Sequence, residues 1–398
     1  MNILLLCTYP VSEPAHGGQH RVKNIVDTYR AAGHLVDVVG VLGSDQYKRE
    51  KGFMAFPCAD SLSTYLPSSF LMEDYAISQL FSLDEKKYRE LANLVQSVPS
   101  TIHVEQPWLF QFAMRYKNEF APSARIIYGS QNIEWELKYQ ILSSYVSDEL
   151  ATSKADLVKD IELNAIRNAD AVICVSENDL LWTKKYSKSS VILAPNGVKP
   201  WESLPGNIEA KKITQLKRYV LYCASGHPPN IKGFFDLFSD GFGSLKPDER
   251  LVIAGGAGLA IAGDERVHQS PSLAARIDAA GFVSQECLSG LLDDAQCIVL
   301  PITQGGGTNL KTAEALWAGK YIVATTTAMR GFESFMESPG VFVENEPAKF
   351  KRALRLAMGL NPLILSEEER SKRRSVLWES CLKLLPDLLL GLQSGEQK

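Results

Sequence analysis

The chain has 398 residues, 45% hydrophobic and 22% charged, proportions of a soluble globular protein long enough for two or three domains. Forty-two basic residues against 46 acidic ones leave a net charge of -4, which argues against a nucleic-acid partner. Seven cysteines without a CxxC pair, several inside apparent buried strands (Cys7, Cys174, Cys297), point to reduced thiols in the cytoplasm and away from a disulfide framework or a zinc site.

The start, MNILLLCTYP, is too short and too little basic for a signal peptide, and no apolar run reaches the length of a membrane span. Asn2–Cys7 instead reads as the central strand of a parallel sheet. Turn formers at 10–18 lead into a helix predicted over 20–32, closed by Gly33, and then a strand over Leu35–Val41. Gly17-Gly18 precede that helix without the GxGxxG spacing of a dinucleotide fingerprint. Residues 61–69 read as loop and 84–97 as an amphipathic helix. Thr101–Glu105 is a short strand with His103 and Glu105 on one face, followed by Gln106-Pro107 and a helix over 107–117. Arg125–Gly129 is the next strand and runs into Ser130, Gln131, Asn132, Ile133 and Glu134. Ligands gather at the strand ends of parallel sheets, so Glu105, Gln106, Gln131, Asn132 and Glu134 are expected at a cleft. His103 reads as a satisfied core histidine. A long amphipathic helix over Asp148–Asn168, a strand over 171–175, a capped helix over 176–185 and a strand over 191–194 complete this half. Pro195-Asn196-Gly197-Val198 marks a domain boundary.

The second half opens with a strand over 219–224 that ends in SGHPPNIKG, residues 225–233. Arg250–Ala254 is a strand closed by Gly255-Gly256-Ala257-Gly258; Gly281-Phe282-Val283 and a short helix over 284–294 follow. The apolar run Cys297–Leu300 stops at Pro301, and Gly305, Gly306 and Gly307 make a turn with Thr308 or Asn309 as helix N-cap. Leu310, Ala313, Leu316 and Trp317 share a helical face, Gly319 ends the helix, and Tyr321–Ala324 is again a strand. Such a glycine turn aims bare backbone N–H groups at whatever lies above the helix, an arrangement suited to a phosphate. Lys311 adds a charge there, and Glu314, one turn on, can accept hydrogen bonds from sugar hydroxyls. After a strand over Val341–Val343 come helices predicted over 347–358 and 367–391, the second kinked or broken at Pro386. No DxD, HExxH or Cys/His cluster indicates a metal site.

GGGTNLKTAEALWAGKYIVAT, residues 305–325, resembles the nucleotide-sugar signature of retaining glycosyltransferases with the GT-B fold, the large family 4. That resemblance implies an α/β fold of two Rossmann-like parallel-sheet domains facing each other across a cleft, with a C-terminal helix packing back on the N-terminal domain. The boundaries expected are 1–196 for an acceptor-side domain, 197–375 for the donor domain, and 376–398 for the returning helix and a polar tail. The loop Gly305, Gly306, Gly307, Thr308, Asn309, Leu310 and Lys311 would hold the donor diphosphate, and Glu314 the ribose. Many members carry a sugar-contacting glutamate where this chain has Gly306, so sugar recognition does not carry over. In SGHPPNIKG, beginning with Ser225-Gly226, Lys232 matches a diphosphate-clamping lysine while His227 stands where an arginine is common. Gly281-Phe282-Val283 resembles the segment that cradles the nucleobase, and Gly17-Gly18 the N-terminal loop facing the donor phosphates; the glycine pair also reads as a plain helix-entry turn. SQNIEWELK resembles a subgroup with HNxE after this strand, Gln131 taking the histidine place beside Asn132 and Glu134 on the acceptor side. Glu105 stands where many relatives carry a histidine facing the acceptor, which implies a catalytic role; capping of the helix near Pro107 is the alternative.

The reaction implied is transfer of a sugar from a nucleotide-diphosphate donor to a hydroxyl of a glycan, glycolipid or glycoprotein, with retained configuration. It would need no metal or other cofactor and no protein nucleophile, with Lys232 stabilising the leaving diphosphate. The expected setting is cytoplasmic, at the inner face of a membrane if the acceptor is lipid-linked. Two other classes stay open: a nucleotide-sugar epimerase of the same fold, and a catalytically silent GT-B partner subunit. Nucleotide release measured with and without acceptor separates the three.

Overall fold

Runs of Leu, Ile and Val form the strands because parallel strands covered by helices on both faces have no solvent side to make polar. The computed structural model describes residues 1–66, 71–201, 206–215, 218–305 and 308–394. By internal contacts the chain divides into a first unit, Met1–Pro195 with Cys381–Lys398, and a second, Asn196–Ser380. Gly306 and Gly307 lie outside the described residues.

The sheet of the first unit comprises β1 (Asn2–Cys7), β2 (Leu35–Val41), β3 (Phe53–Met54), β4 (Thr101–Glu105), β5 (Arg125–Gly129), β6 (Ala171–Cys174) and β7 (Ser190–Leu193). Their order is β3-β2-β1-β4-β5-β6-β7, with every neighbouring pair parallel. The direction of progress reverses between β1 and β4, the switch point beyond whose strand ends such sheets bind ligands. Leu4 and Leu6 of β1 share one core with Phe81, Phe112 and Tyr128. The helix Leu385–Ser394 packs on the helix Gly17–Ala31, with Leu385 and Leu389 fully buried.

The second unit repeats the plan. Its strands are β8 (Tyr219–Cys223), β9 (Arg250–Ala254), β10 (Ile277–Gly281), β11 (Cys297–Leu300), β12 (Tyr321–Ala324) and β13 (Val341–Val343). They are ordered β10-β9-β8-β11-β12-β13, all parallel, with the reversal between β8 and β11. The period of two is visible in the packing: Val220 and Tyr222 face a core with Phe234, Phe238 and Phe350, while Leu221 faces Leu291, Ile298 and Leu316. Two Rossmann-like α/β units are therefore present.

Several elements differ from the sequence expectation. The first helix begins at Gly17, three residues early, because its entry is fixed by Gln19, whose Oε1 accepts the N–H groups of Ala15 and His16. Residues 59–63 form a short helix where loop was expected, and Glu73–Leu83 is a helix. Gly256 to Gly258 open a helix, Gly256–Ala262, and do not merely close a strand. The predicted helix over 367–391 is instead Glu367–Arg373, a 3-10 turn Arg374–Val376, Trp378–Cys381 and Leu385–Ser394. Its middle is diverted into a bridge with Val198: Val198 N–H donates to Val376 O at 2.9 Å, and Trp378 N–H to Val198 O at 3.1 Å. Pro386 sits at the opening of the last helix, where a missing N–H costs nothing. Among the described residues no helix is long and apolar enough to cross a membrane.

Candidate functional site

In the second unit the predicted donor residues gather at the carboxyl edge of the sheet. Beyond β11, Gly305 takes φ +131°, open to glycine and strained for residues with a side chain. Of the two N-cap candidates the structure selects Asn309, whose Oδ1 accepts the Lys311 N–H at 3.0 Å. Thr308 Oγ1 is buried and has no hydrogen-bond partner among the described residues. The helix Leu310–Ala318 follows and ends at Gly319 in the left-handed conformation, φ +69°. Lys311 reaches forward one turn to Glu314, with Nζ 2.9 and 3.1 Å from its two carboxylate oxygens. Burial works against the Lys311 charge, but Cys223 at the end of β8 and Glu314 outweigh it and raise its pKa.

The loop after β8 carries Gly226 and His227 into the helix Pro228–Phe238. His227 is the N-cap residue, exposed, and its side chain makes no capping bond. Lys232 is half-exposed and pairs with Asp236 at 2.7 Å, one turn on. Thr303, just past β11, donates to the same Asp236 oxygen at 2.8 Å, which ties the two loops together. Gly233 has no alternative, since a Cβ there would run into the Pro301 carbonyl. The loops after β8 and β9 also touch backbone to backbone: a Cβ on Gly256 would stand 2.8 Å from Gly226 N. Beyond β10, Val283 is half-buried, whereas the Phe282 ring is 82% exposed. It belongs to the Gly281-Phe282-Val283 segment that resembles a nucleobase cradle. A large apolar side chain left this open at a sheet's ligand edge is a ready face for a flat partner.

The first unit gathers Gly17, Gly18, Glu105, Gln131, Asn132 and Glu134 at its own carboxyl edge, but not in the arrangement expected. Glu105 is 1% exposed, and both carboxylate oxygens are occupied. Oε1 lies 3.0 Å from His103 Nε2, while Oε2 accepts from Arg21 Nε at 3.2 Å and Gln131 Nε2 at 2.6 Å. Burial raises the pKa of this carboxyl, but the Arg21 charge, with hydrogen bonds from His103 and Gln131, overrides it and holds the value at about 2. Glu105 is thus the counter-ion of a buried arginine, which leaves it neither facing an acceptor nor capping a helix; the residue that precedes Pro107 as N-cap is Gln106. His103 is a core histidine, as read. Its Nδ1 lies 2.8 Å from the Tyr29 hydroxyl.

Gln131 is buried too, donating to Tyr9 Oη as well as to Glu105. A Cβ on Gly18 would lie 2.8 Å from Tyr9 Oη and 3.0 Å from Gln131 Oε1, so close packing alone accounts for that glycine. The more open polar group on this edge is Gln106, half-buried, at φ +65° and ψ 162°, a conformation rarely adopted outside glycine. Its side chain meets Thr8 Oγ1 at 3.4 Å and Glu134 Oε1 at 3.5 Å. Glu134 also accepts from Asn132 Nδ2 at 3.1 Å. Burial dominates at Glu134 and pushes its pKa up to about 7. Glu162, from the helix Asp148–Asn168, accepts the N–H groups of Glu134 and Trp135 at 2.9 and 3.2 Å, capping the helix Glu134–Leu142.

Residues 217–358 match the family model described as glycosyl transferases group 1. This part of the chain is thus similar to the group 1 glycosyltransferases. The match contains Lys232, the glycine loop and Glu314. Among curated proteins none matches the chain by sequence. Solved glycosyltransferase structures share the fold across its length. Sucrose-phosphate synthase from Thermosynechococcus elongatus superposes with a TM-score of 0.69 at 17% identity, over 99% of this chain and 100% of that one. Anabaena HepE in complex with UDP-glucose gives 0.61 at 12% identity, over 98% and 99%. The catalytic domain of starch synthase IV from Arabidopsis thaliana, bound to ADP and acarbose, gives 0.57 at 12%, over 99% and 98%.

Proposed function

We propose that this chain is a glycosyltransferase of the group 1 type that transfers a sugar from a nucleotide-diphosphate donor to an acceptor hydroxyl with retention of configuration, and that the second unit holds the donor. The observation carrying this reading is the family match over 217–358, a span that includes the Asn309-capped helix with Lys311 in its first turn and Glu314 one turn on. The bound nucleotides of HepE and of starch synthase IV support a nucleotide donor by analogy. The diphosphate sits at the amino end of the helix Leu310–Ala318, where the helix dipole favours an anion. Glu314 accepts from the ribose hydroxyls, and Lys232 offsets charge on the departing diphosphate, the kind of electrostatic stabilisation that dominates such reactions. The exposed Phe282 ring offers a face to the base. No protein nucleophile is invoked: attack occurs on the face that the diphosphate leaves, and a phosphate oxygen takes the acceptor proton.

In the first unit, acceptor recognition falls to Gln106, Asn132 and Glu134, because Glu105 and Gln131 are consumed by the Arg21 network. Acceptors in the glycan, glycolipid or glycoprotein class all present the hydroxyl this requires. The test is a thermal-shift panel of nucleoside diphosphates and nucleotide sugars, followed by nucleotide-release assays with and without candidate acceptors. Acceptor-dependent release is the expected result. Binding with conversion of the nucleotide sugar but no acceptor requirement would make the protein an epimerase, and no nucleotide binding at all would remove the donor site.

A further inference from the structure

The amino edge of the second sheet, at the other end of the strands from the glycine loop, borders a cavity of about 690 Å³. That volume is typical of a small-molecule site. Arg250 opens β9 and Arg276 immediately precedes β10, so both stand at this edge, and both line the cavity. Phe242, Leu245 and Pro247 give it an apolar wall, and Ser272 adds a hydroxyl. Gly243 keeps one side open, since a Cβ there would meet nothing within 4 Å.

Backbone carbonyls hold the two guanidiniums in place. Arg250 Nη1 donates to Pro247 O and Glu249 O, both at 2.9 Å, and Arg276 Nη1 donates to Lys246 O at 2.6 Å. The carbonyls of two consecutive residues, Lys246 and Pro247, thus fix two half-buried cations side by side. Neither arginine forms an ion pair among the described residues: Glu249 instead takes both Nη groups of Arg355, at 2.6 and 3.0 Å, and Asp240, on the rim, takes Lys351. Asp248, between the gripped carbonyls and Glu249, is exposed. A carbonyl satisfies a hydrogen bond without cancelling a charge, so the repulsion between the two cations stays until an anion joins them. Nη1 is committed to the backbone, and the rest of each planar fork matches two oxygens of a phosphate. A phosphomonoester carries about -1.5 to -2 charges at neutral pH, which suits a pair of arginines, and the apolar wall suits an organic body attached to it. We propose that this cavity binds a small phosphomonoester, its phosphate between Arg250 and Arg276. The site lies at the opposite sheet edge from the proposed donor loops and does not depend on them.

The test is calorimetric titration of the parent, at one ionic strength, with glycerol 3-phosphate, ribose 5-phosphate, ribose, succinate and inorganic phosphate. At least one ester should bind more tightly than inorganic phosphate or succinate, and ribose should not bind. Arg250→Gln and Arg276→Gln should each weaken that ester by about 10- to 100-fold, the loss of hydrogen bonds to a charged group. Lys232→Ala, at the opposite edge, should bind it as the parent does. Ligand-free melting curves show whether the turn over 246–249 survives; where a glutamine variant does not fold, Arg250→Lys or Arg276→Lys, which keeps a donor for the carbonyl but loses the fork, is read in its place and should also weaken the ester. Ester affinity equal to the parent's in the folded arginine variants overturns the inference. So does a parent that binds no ester, or one that binds succinate or inorganic phosphate as tightly. An equal loss in Lys232→Ala would put the ester at the donor loops and overturn it as well.

Discussion

Arg21 and Glu105, with no exposed side-chain surface on either, meet at 3.2 Å at the carboxyl end of the first sheet. The arginine also donates from Nη1 to Ala194 O at 2.8 Å, linking the first helix to the exit of β7. Removing one partner of such a pair strands a buried charge. Arg21→Met should lower the unfolding free energy by about 3–5 kcal/mol, read from urea denaturation at neutral pH. Replacing both residues with apolar ones should recover much of that loss. A single mutant as stable as the parent would show that the pair is not buried in solution.

The same pair sets an acid limit. Because the Glu105 carboxyl is held at about 2, below its ordinary 4.5, the unfolded chain binds the proton more readily. Its stabilising contribution is full above 4.5 and is lost as pH falls from there toward 2. Glu134 behaves in the opposite sense: burial raises it to about 7, so the fold favours the neutral form. Its contribution is full below 4.5 and disappears as pH rises to 7, by roughly 3 kcal/mol at about 1.4 kcal/mol per pKa unit. Glu134→Gln should flatten the decline of stability between those pH values. A parent and mutant with parallel stability curves there would remove Glu134 as the titrating group.

Gly18→Ala is a third case. Alanine is the better helix former by about 1 kcal/mol, yet its Cβ would press on Tyr9 Oη and Gln131 Oε1. Overpacking of this kind costs about 1–3 kcal/mol, so the net expectation is a lower melting temperature. A higher melting temperature would mean that Tyr9 and Gln131 move aside freely.

Glu314→Ala should weaken both nucleoside and nucleoside-diphosphate binding by about 1–3 kcal/mol if it holds the ribose. The fold should change little, since the partly exposed Lys311–Glu314 pair is worth at most about 1 kcal/mol. Equal nucleoside affinity in parent and mutant takes Glu314 out of the site.

For Lys232→Ala, the half-exposed pair with Asp236 again predicts near-parental stability, and the proposed diphosphate contact predicts reduced turnover. Turnover within about twofold of the parent in a transfer assay would rule the contact out.

How much of this was legible depended on the range of the interaction. Strands β1, β8, β11 and β12 announce themselves because both faces are buried, and Ser176, Ser284 and Gly319 mark helix ends through local chemistry. Glu105 was misplaced because its partner lies 84 residues away, and no local pattern says that an arginine on the first helix points under β4. The helix predicted over 367–391 failed because Val376 and Trp378 use their backbone groups on Val198. Periodicity cannot see such a competitor.

The discontinuous first unit has a consequence for synthesis. The helix Leu385–Ser394 that packs on Gly17–Ala31 is made only after all of Asn196–Ser380. On the ribosome the second unit, continuous in sequence, can therefore close while the earlier half still shows the apolar groove that Leu385 and Leu389 will fill. The half of the molecule that is translated first is the one that finishes folding last.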